Sequence, residues 1–404
     1  MRPYWIAYLA LALAAALQAP CQDSQSLGDV ARSARQQKQK AALGTSAPDP
    51  STTDALASKP VTRLQLFAWL TSQIETEDIV RELRSRGIAF DPDDNFIHDF
   101  TAAGADSSLL GELQEAAHHP TADLAPDPEI LQGAIAAALA AHAHNYADAM
   151  SPLRDALKKD PNNPDLYFAL GGLMRETEDF PGAVWGFTRC TQLVPAFAPA
   201  HGQLSYAYFR IQESEKAIVE ARVMLKLQPD SAEAHKLLGL AYAVAGDDDS
   251  AMREYQTALN LRPEYANVYF DMGQVRAREK NWPLAVSFYQ RAVALGRSNW
   301  YYYNQLGIAL GRDGRIDEAA AVFKKGIAFD SSRPEIRQSY GALLCNNGRY
   351  KEAAVAFHEL LRIEPDWNMA RPCLYRSLMS IGQTAEAEKV KQDYIAHDPN
   401  HESW

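Results

Sequence analysis

Arginine, aromatic and amide side chains recur from residue 168 onward at spacings that place them on one side of a series of helices. The candidate contact residues are Phe168, Arg175, Tyr206, Arg210, Lys236, Phe270, Gln274, Arg278, Tyr301, Asn304 and Arg312. A guanidinium donates paired hydrogen bonds to a carboxylate, and an aromatic face offers a large contact area. The pattern favours binding of an extended peptide with acidic or amide groups. The alternative is that these residues pair with neighbouring carboxylates and only solvate the surface.

The sequence lacks the common signatures of catalysis and nucleotide binding. GxGxxG, GxxxxGK[ST], GxSxG and HExxH are all absent. His142 and His144 lie two residues apart on a predicted helix, so they face different directions and are interpreted as solvated rather than metal-binding. We predict a protein that is not an enzyme, with no catalytic residues, no cofactor and no metal. The net charge of −11 argues against binding to a nucleic-acid backbone.

The first residues are typical of a segment that directs export. Arg2 is followed by an apolar run of about signal-peptide length, so we expect residues 1–19 to be a signal peptide. Cys21 is a candidate lipid attachment residue, although Gln18 and Pro20 do not fit a lipid-attachment box. Both a lipid-anchored and a plain secreted N-terminus remain open. The predicted location is the periplasm or cell envelope, with membrane contact only through such an anchor.

Three further segments precede the main body of the chain. Residues 20–60 are rich in Ser, Thr, Gln, Pro and Ala and are predicted to be a disordered linker. Residues 61–118 carry apolar positions at helical spacing and are predicted to form a small bundle of about four helices. This part resembles a module of repeat proteins and peptidases of certain environmental bacteria, with the pattern RGIxF, AAGA and LL. Residues 119–129 are interpreted as a hinge.

The four cysteines are Cys21, Cys190, Cys345 and Cys373. They are too few for a disulfide framework, and their spacing does not match a zinc site. Cys190 and Cys345 lie within helical patterns, so buried free thiols are favoured. A bridge between Cys345 and Cys373 remains open.

A ladder of small residues with a period of 34 runs through the rest of the chain. An alanine occurs at every step, and a second column holds mostly glycine. The alanines are Ala149, Ala183, Ala217, Ala251, Ala285, Ala319, Ala353 and Ala387, and the glycines are Gly171, Gly239, Gly273, Gly307 and Gly341, with Ala137 and Ser205 as small substitutes and Tyr375 as a break. Pro161, Pro195, Pro229, Pro263, Pro365 and Pro399 lie on the same period, which Arg297 and Ser331 interrupt.

This ladder resembles the tetratricopeptide repeat (TPR), a helix–turn–helix unit of 34 residues. The resemblance implies an all-α protein, a right-handed α-solenoid of about eight repeats preceded by the small helical bundle. The predicted repeats are 130–163, 164–197, 198–231, 232–265, 266–299, 300–333, 334–367 and 368–401. Within each, the small residues are expected where the first helix (A) and the second helix (B) cross. We expect the apolar first helix A to pack on the small bundle, the polar last helix to cap the stack, and local irregularity near 296–300.

The function indicated is a non-enzymatic scaffold that binds a protein or extended peptide in the groove formed by the A helices. One alternative is a membrane-anchored assembly factor held through Cys21. Another is a subunit that binds a glycan or small ligand through Asn267, Gln274, Trp300 and Asn304. The sequence does not determine the oligomeric state.

Overall fold

The computed structural model describes residues 59–118, 126–296 and 299–397. This part of the chain belongs to one compact unit and is helical, with two isolated β-bridges as its only extended pairing. The helices are α1 (Arg63–Thr71), α2 (Thr76–Arg86), α3 (Asp94–Ala102), α4 (Ser107–Glu115), α5 (Pro128–His142), α6 (Tyr146–Lys159), α7 (Pro164–Glu176), α8 (Phe180–Leu193), α9 (Ala198–Arg210), α10 (Ser214–Leu227), α11 (Ala232–Val244), α12 (Asp248–Leu261), α13 (Ala266–Arg278), α14 (Trp282–Leu295), α15 (Trp300–Arg312), α16 (Ile316–Phe329), α17 (Pro334–Asn346), α18 (Tyr350–Ile363), α19 (Arg371–Ser380) and α20 (Thr384–His397). None of them is long and apolar enough to span a bilayer.

The predicted signal peptide, Cys21 and almost all of the predicted linker lie outside the described residues. So do residues 119–125 of the predicted hinge and residues 297–298 of the predicted irregular corner.

Helices α1 to α4 form the small N-terminal bundle, which we call the module. Asp93 and Asp106 cap α3 and α4 by accepting hydrogen bonds from the backbone N–H groups of Phe96 and Leu109, each at 2.8 Å. The rings of Phe67, Phe96 and Phe100 fill its centre with edge-to-face and stacked contacts. The bridges Val61–Ile88 and Ile88–His118 tie its connecting segments together.

The sixteen helices α5 to α20 form eight antiparallel A–B pairs stacked in sequence into a right-handed α-solenoid, as the period predicts. Each A helix packs on its own B helix, and each B helix packs on the next A helix. All eight alanines of the ladder are fully buried. A larger side chain at these crossings would force the two helices apart.

The glycine column is explained by the aromatic column. A Cβ atom on Gly273 would lie 2.6 Å from the ring of Tyr289, and one on Gly307 would lie 2.6 Å from the ring of Phe323. Gly171, Gly239 and Gly341 face Phe187, Tyr255 and Phe357 in the same way. In each case the aromatic residue follows the ladder alanine by four positions and fills the space that the glycine leaves.

Where the aromatic residue is missing, the small column compensates. Repeat 3 has Ala221 at the aromatic position, and there the buried Ser205 replaces glycine and donates a hydrogen bond to the carbonyl of Ala217 at 2.8 Å. Repeat 1 pairs Ala137 with Leu153, both fully buried. The two columns therefore vary inversely in size: where the residue at the aromatic position is smaller, the residue in the small column is larger.

The turn between the A and B helices uses one left-handed residue in every repeat. The residues with positive φ at this position are His144, Glu178, Gln212, Gly246, Lys280, Gly314, Gly348 and Gly382. This conformation costs an L-residue about 1–2 kcal/mol, whereas glycine adopts it freely. Four of the eight turns therefore store local strain.

The module is packed against the solenoid rather than apart from it. Helix α1 contacts α5, as the apolar first helix A predicts, and it also contacts α7. A single core of buried residues extends from Val61 in the module to Ala207 in repeat 3. Trp69 is 1% exposed and stacks on Phe197 with 6.1 Å between the ring centroids. The module therefore closes the N-terminal end of the stack.

Candidate peptide-binding groove

The A helices line the inner side of the stack. Most successive A helices contact one another directly, from α7 through α9 and α11 to α13, and again from α15 through α17 to α19. Successive B helices do not approach one another as closely. The stack is therefore concave on the side of the A helices, and side chains on that side line a groove.

The module covers the N-terminal half of this groove. The Ser72 hydroxyl donates a hydrogen bond to the carbonyl of Phe168 at 3.0 Å, and Arg175 donates one to the carbonyl of Ser72 at 2.9 Å. The approach is so close that a Cβ on Gly172 would lie 2.6 Å from the Cα of Ser72. Further along, Arg262 forms ion pairs with Glu75 at 2.9 Å and with Glu77 at 3.0 Å. Helix α2 and the loop before it therefore lie over repeats 2 to 4.

A cleft of about 440 Å³ remains between the module and the A helices of repeats 2 to 5. Its lining mixes both signs of charge, which come from the module and from the solenoid. The charged residues are Glu75, Asp78, Arg81, Glu82, Arg175, Glu176, Glu178, Arg210, Glu233 and Lys236. Six of these side chains are acidic and four are basic.

The cleft is joined to a network of partly buried charges. Lys236 forms an ion pair with Glu233 at 2.7 Å, and the Tyr265 hydroxyl donates a hydrogen bond to the same carboxylate. Burial opposes the charge on Lys236, but Glu233 and Tyr265 outweigh it and raise the pKa of the ammonium group. Burial raises the pKa of Asp271 to about 7, against the opposing charge of Lys236.

Two carboxyl groups at the boundary between the module and the solenoid have raised pKa values. Burial raises the pKa of Asp78 to about 6, and the negative charge of Glu233 adds to this effect. Burial also raises the pKa of Asp165 to about 6, against a hydrogen bond from Gln65 and the charge of Arg86. Both side chains therefore gain a proton in the folded protein at a higher pH than in the unfolded chain.

The structure separates the predicted contact residues into three groups. Arg175, Tyr206, Arg210 and Lys236 line the cleft under the module. Phe168 is fully buried and packs on Phe187 and Phe197, so its prediction as a groove contact is wrong. Its ring contacts residues of the solenoid, and the module reaches α7 at the backbone carbonyl of Phe168.

Phe270 and Asn304 are also mostly buried, at 7% and 6% exposure. Phe270 packs between Tyr289, Tyr301 and Tyr302, with ring centroids 4.9 to 5.4 Å away. The side chains of these two residues pack beneath the inner face and contribute little accessible surface to the groove. Asn267 accepts a hydrogen bond from Tyr302, so only part of the amide set expected for glycan binding remains accessible.

The remaining predicted contacts lie on the half of the groove that the module leaves open. Gln274, Arg278 and Arg312 are exposed, and Tyr301 is half-buried. Arg278 forms an ion pair with Asp248 and donates a hydrogen bond to the carbonyl of Ala243. Arg312 makes no ion pair or hydrogen bond within residues 59–118, 126–296 and 299–397.

Residues missed by the sequence analysis extend the same surface toward the C-terminus. Arg376 is exposed on α19 and donates a hydrogen bond to Asn346 at 2.8 Å. Met369 and Met379 are 52% and 41% exposed. Stepping three periods of 34 from Gln274 leads to Arg376, so the repeat numbering alone was a sufficient signal. No group of three or more potential metal ligands occurs in the part of the chain that the structure describes.

A family model described as TPR repeat matches residues 242–280, which run from the end of α11 to the turn after α13. The matched segment contains Ala251 and Gly273, which belong to the two small columns. The same columns recur every 34 residues through the other helix pairs. The chain is a TPR protein. The match to the family model covers little of the sequence, and the repeats on either side follow from the geometry of the helix pairs.

Solved structures align with this chain at low sequence identity. Cut9–Hcn1 of the APC/C hetero-tetramer aligns with a TM-score of 0.50 and 17% identity, over 67% of this chain and 52% of that one. A tetratricopeptide repeat protein from Parabacteroides merdae aligns at 0.49 and 15%, over 62% and 100%. MamA aligns at 0.34 and 25%, over 42% and 92%. The search of curated protein sequences gave no match.

Proposed function

We propose that this TPR protein is a non-enzymatic scaffold that binds an extended segment of another protein along the A helices of repeats 5 to 8. One observation carries the proposal: the module covers repeats 2 to 4, whereas α13, α15, α17 and α19 present the exposed side chains of Gln274, Arg312, Asn346 and Arg376. Extended segments suit such a groove because side chains recur along it at the spacing of the repeats.

The chemistry of the open half favours a segment with acidic and amide side chains flanked by apolar ones. The guanidinium of Arg312 has no partner among the described residues, and Arg278 and Arg376 are exposed beside it along the groove. Guanidinium groups bind carboxylates in a fork geometry. Met369 and Met379 add exposed, adaptable apolar surface at the C-terminal end.

Site-specific photocrosslinking tests this assignment even while the partner is unidentified. A benzoylphenylalanine at Gln274 would face the open groove, and one at Gln256 would face away from it on α12. Both glutamines are exposed, so the pair is matched in residue type and in neighbourhood. We expect adducts in host extract from position 274 and not from position 256. Equal adducts from both positions, or adducts from 256 alone, would refute the groove as the binding surface.

Charge reversal provides the second test. Arg312→Glu with Tyr301→Ala should abolish recovery of the crosslinked partner, while Arg210→Glu with Tyr206→Ala, under the module, should leave it. If only the second pair of substitutions removes the partner, the cleft under the module is the binding site and the proposal fails.

We also propose that the protein acts after export, in the periplasm or cell envelope. The support is the apolar N-terminal run and the linker-like composition that follows it. Intact-mass spectrometry of the mature protein distinguishes the two forms. An acylated N-terminal Cys21 supports the anchored assembly factor, an unmodified mature N-terminus supports a secreted scaffold, and a retained residue 1 refutes export.

A further inference from the structure

Two cysteines meet between the A helices of repeats 7 and 8. Cys345 lies at the end of α17 and is 1% exposed, and Cys373 lies in the first turn of α19 and is partly exposed. The sulfur of Cys345 is 3.5 Å from the carbonyl oxygen of Cys373. Burial raises the pKa of the Cys373 thiol to about 11, and the neighbouring Cys345 adds to this effect.

The sulfur of Cys345 lies among hydrogen-bond donors. Arg376 donates two N–H groups to its sulfur, at 3.2 Å from Nε and 3.0 Å from Nη2. The Ser377 hydroxyl lies 3.4 Å from the same sulfur. A guanidinium stabilises the thiolate form, which is the nucleophile in thiol chemistry. Cys190, in contrast, is fully buried in α8 and burial raises the pKa of its thiol, as for an inert core cysteine.

We propose that Cys345 and Cys373 are a redox pair that a small-molecule or protein disulfide converts to an intramolecular bridge between repeats 7 and 8. This inference is independent of the proposed binding function, because it rests only on the two thiols and the groups that contact them.

The exchange takes two steps that balance. The Cys373 thiol loses its proton to solvent as its sulfur attacks the disulfide oxidant R–S–S–R, a Cys373–S–R bond forms, and one RS⁻ leaves and takes up a proton. The sulfur of Cys345, which accepts hydrogen bonds from Arg376, then attacks the sulfur of Cys373 and displaces the second RS⁻, which takes up the proton of the Cys345 thiol. Two protein thiols are oxidised and one molecule of R–S–S–R is reduced to two thiols. Cys373 reacts first because it is the more exposed of the two.

The bridge would change the end of the stack in two ways. It would link α17 directly to α19, which stabilises the last repeat. The bridge would also move the sulfur of Cys345 toward Cys373, which weakens the hydrogen bonds that this sulfur accepts from Arg376. Arg376 would then keep Asn346 as its remaining partner and become more available to a ligand in the open groove.

The test uses the full chain with Cys21→Ser and Cys190→Ser, so that only the pair remains. It is incubated with oxidised glutathione, alkylated with a maleimide and digested for mass spectrometry. We expect a peptide linking Cys345 to Cys373 and a rise in melting temperature of roughly 3–8 °C that dithiothreitol reverses. Two free thiols, or a glutathione adduct on Cys373 that does not resolve, would overturn the proposal.

Two variants separate the roles within the pair. Cys345→Ser should leave a stable glutathione adduct on Cys373, whereas Cys373→Ser should react slowly or not at all. Arg376→Gln should slow closure of the bridge roughly 3–10-fold near pH 7, since it removes the guanidinium from the resolving thiol. An unchanged rate in Arg376→Gln would refute the activating role of Arg376. Circular dichroism of each reduced variant establishes that it is folded.

Discussion

Gly273→Ala tests whether the glycine column is needed to leave room for the aromatic rings. Two opposing effects on stability act at this position. The added methyl group improves helix propensity by about 1 kcal/mol. It also places a Cβ 2.6 Å from two ring atoms of Tyr289, well inside the normal contact distance of about 3.5 Å. Tyr289 is 2% exposed and packs on Phe270, so the ring has little room to move. Overpacking of this kind costs about 1–3 kcal/mol, and we expect net destabilisation of about 1 kcal/mol.

The matched control is Gly111→Ala. Gly111 lies in the middle of α4, and a Cβ there meets no atom within 4 Å. Only the propensity effect remains, so this variant should gain up to about 1 kcal/mol. Urea denaturation followed by circular dichroism, with hydrogen exchange of α13 and α14 as a local readout, measures both changes.

A double-mutant cycle tests the cause. Tyr289→Leu shortens the opposing side chain and reproduces the pairing of Ala137 with Leu153 in repeat 1. In that background, Gly273→Ala should become stabilising, with a coupling free energy of about 2 kcal/mol. If Gly273→Ala stabilises the wild-type protein as much as Gly111→Ala does, the steric explanation of the glycine column is refuted.

Three further perturbations test other parts of the structure. Gly314 and Lys280 both occupy the left-handed turn position. Gly314→Ala should lower the free energy of unfolding by about 1 kcal/mol, and Lys280→Gly should raise it by up to that amount. Changes of the same sign and size for the two variants in urea denaturation would contradict this. Ala285→Leu should destabilise by about 1–3 kcal/mol, and an unchanged thermal melt would exclude a tight crossing there. Burial raises the pKa of Asp271 from 3.8 to about 7, so the contribution of this group to stability is full below about pH 4 and is lost as the pH rises through 7. Asp271→Asn should therefore be more stable than wild type at pH 8, by an amount on the order of 1 kcal/mol. A difference in stability that does not grow between pH 5 and pH 8 in urea denaturation would argue against this.

The solenoid was predictable because its information is local and repeated. Each A–B pair needs a small residue at the crossing, and a fixed period repeats that need along the chain. Ala217 and Ala285 could be placed at helix contacts from their spacing alone, and the structure confirms it. The compensation between Ser205 and Ala221 was also present in the sequence, although it becomes visible only when the two columns are compared by volume.

The accessible surface was not predictable in the same way. Helical spacing gives the direction in which Phe168 or Arg175 projects from its helix, but it does not reveal what lies above that face. The contact between Ser72 and Phe168 joins residues 96 positions apart. No periodic pattern encodes such a contact, because the module occurs once and does not share the period of the repeats.

The sequence by itself determined the repeat, its period, the crossing residues and the all-helical stack, since these follow from close packing between neighbours in the chain. Only the tertiary structure decided that the module covers the first half of the groove, that Phe168 belongs to the core, and that Cys345 meets Cys373 beside Arg376. These outcomes depend on contacts between residues that are far apart in the sequence. Such contacts decide which side chains are buried and which groups pair, and local spacing does not encode them.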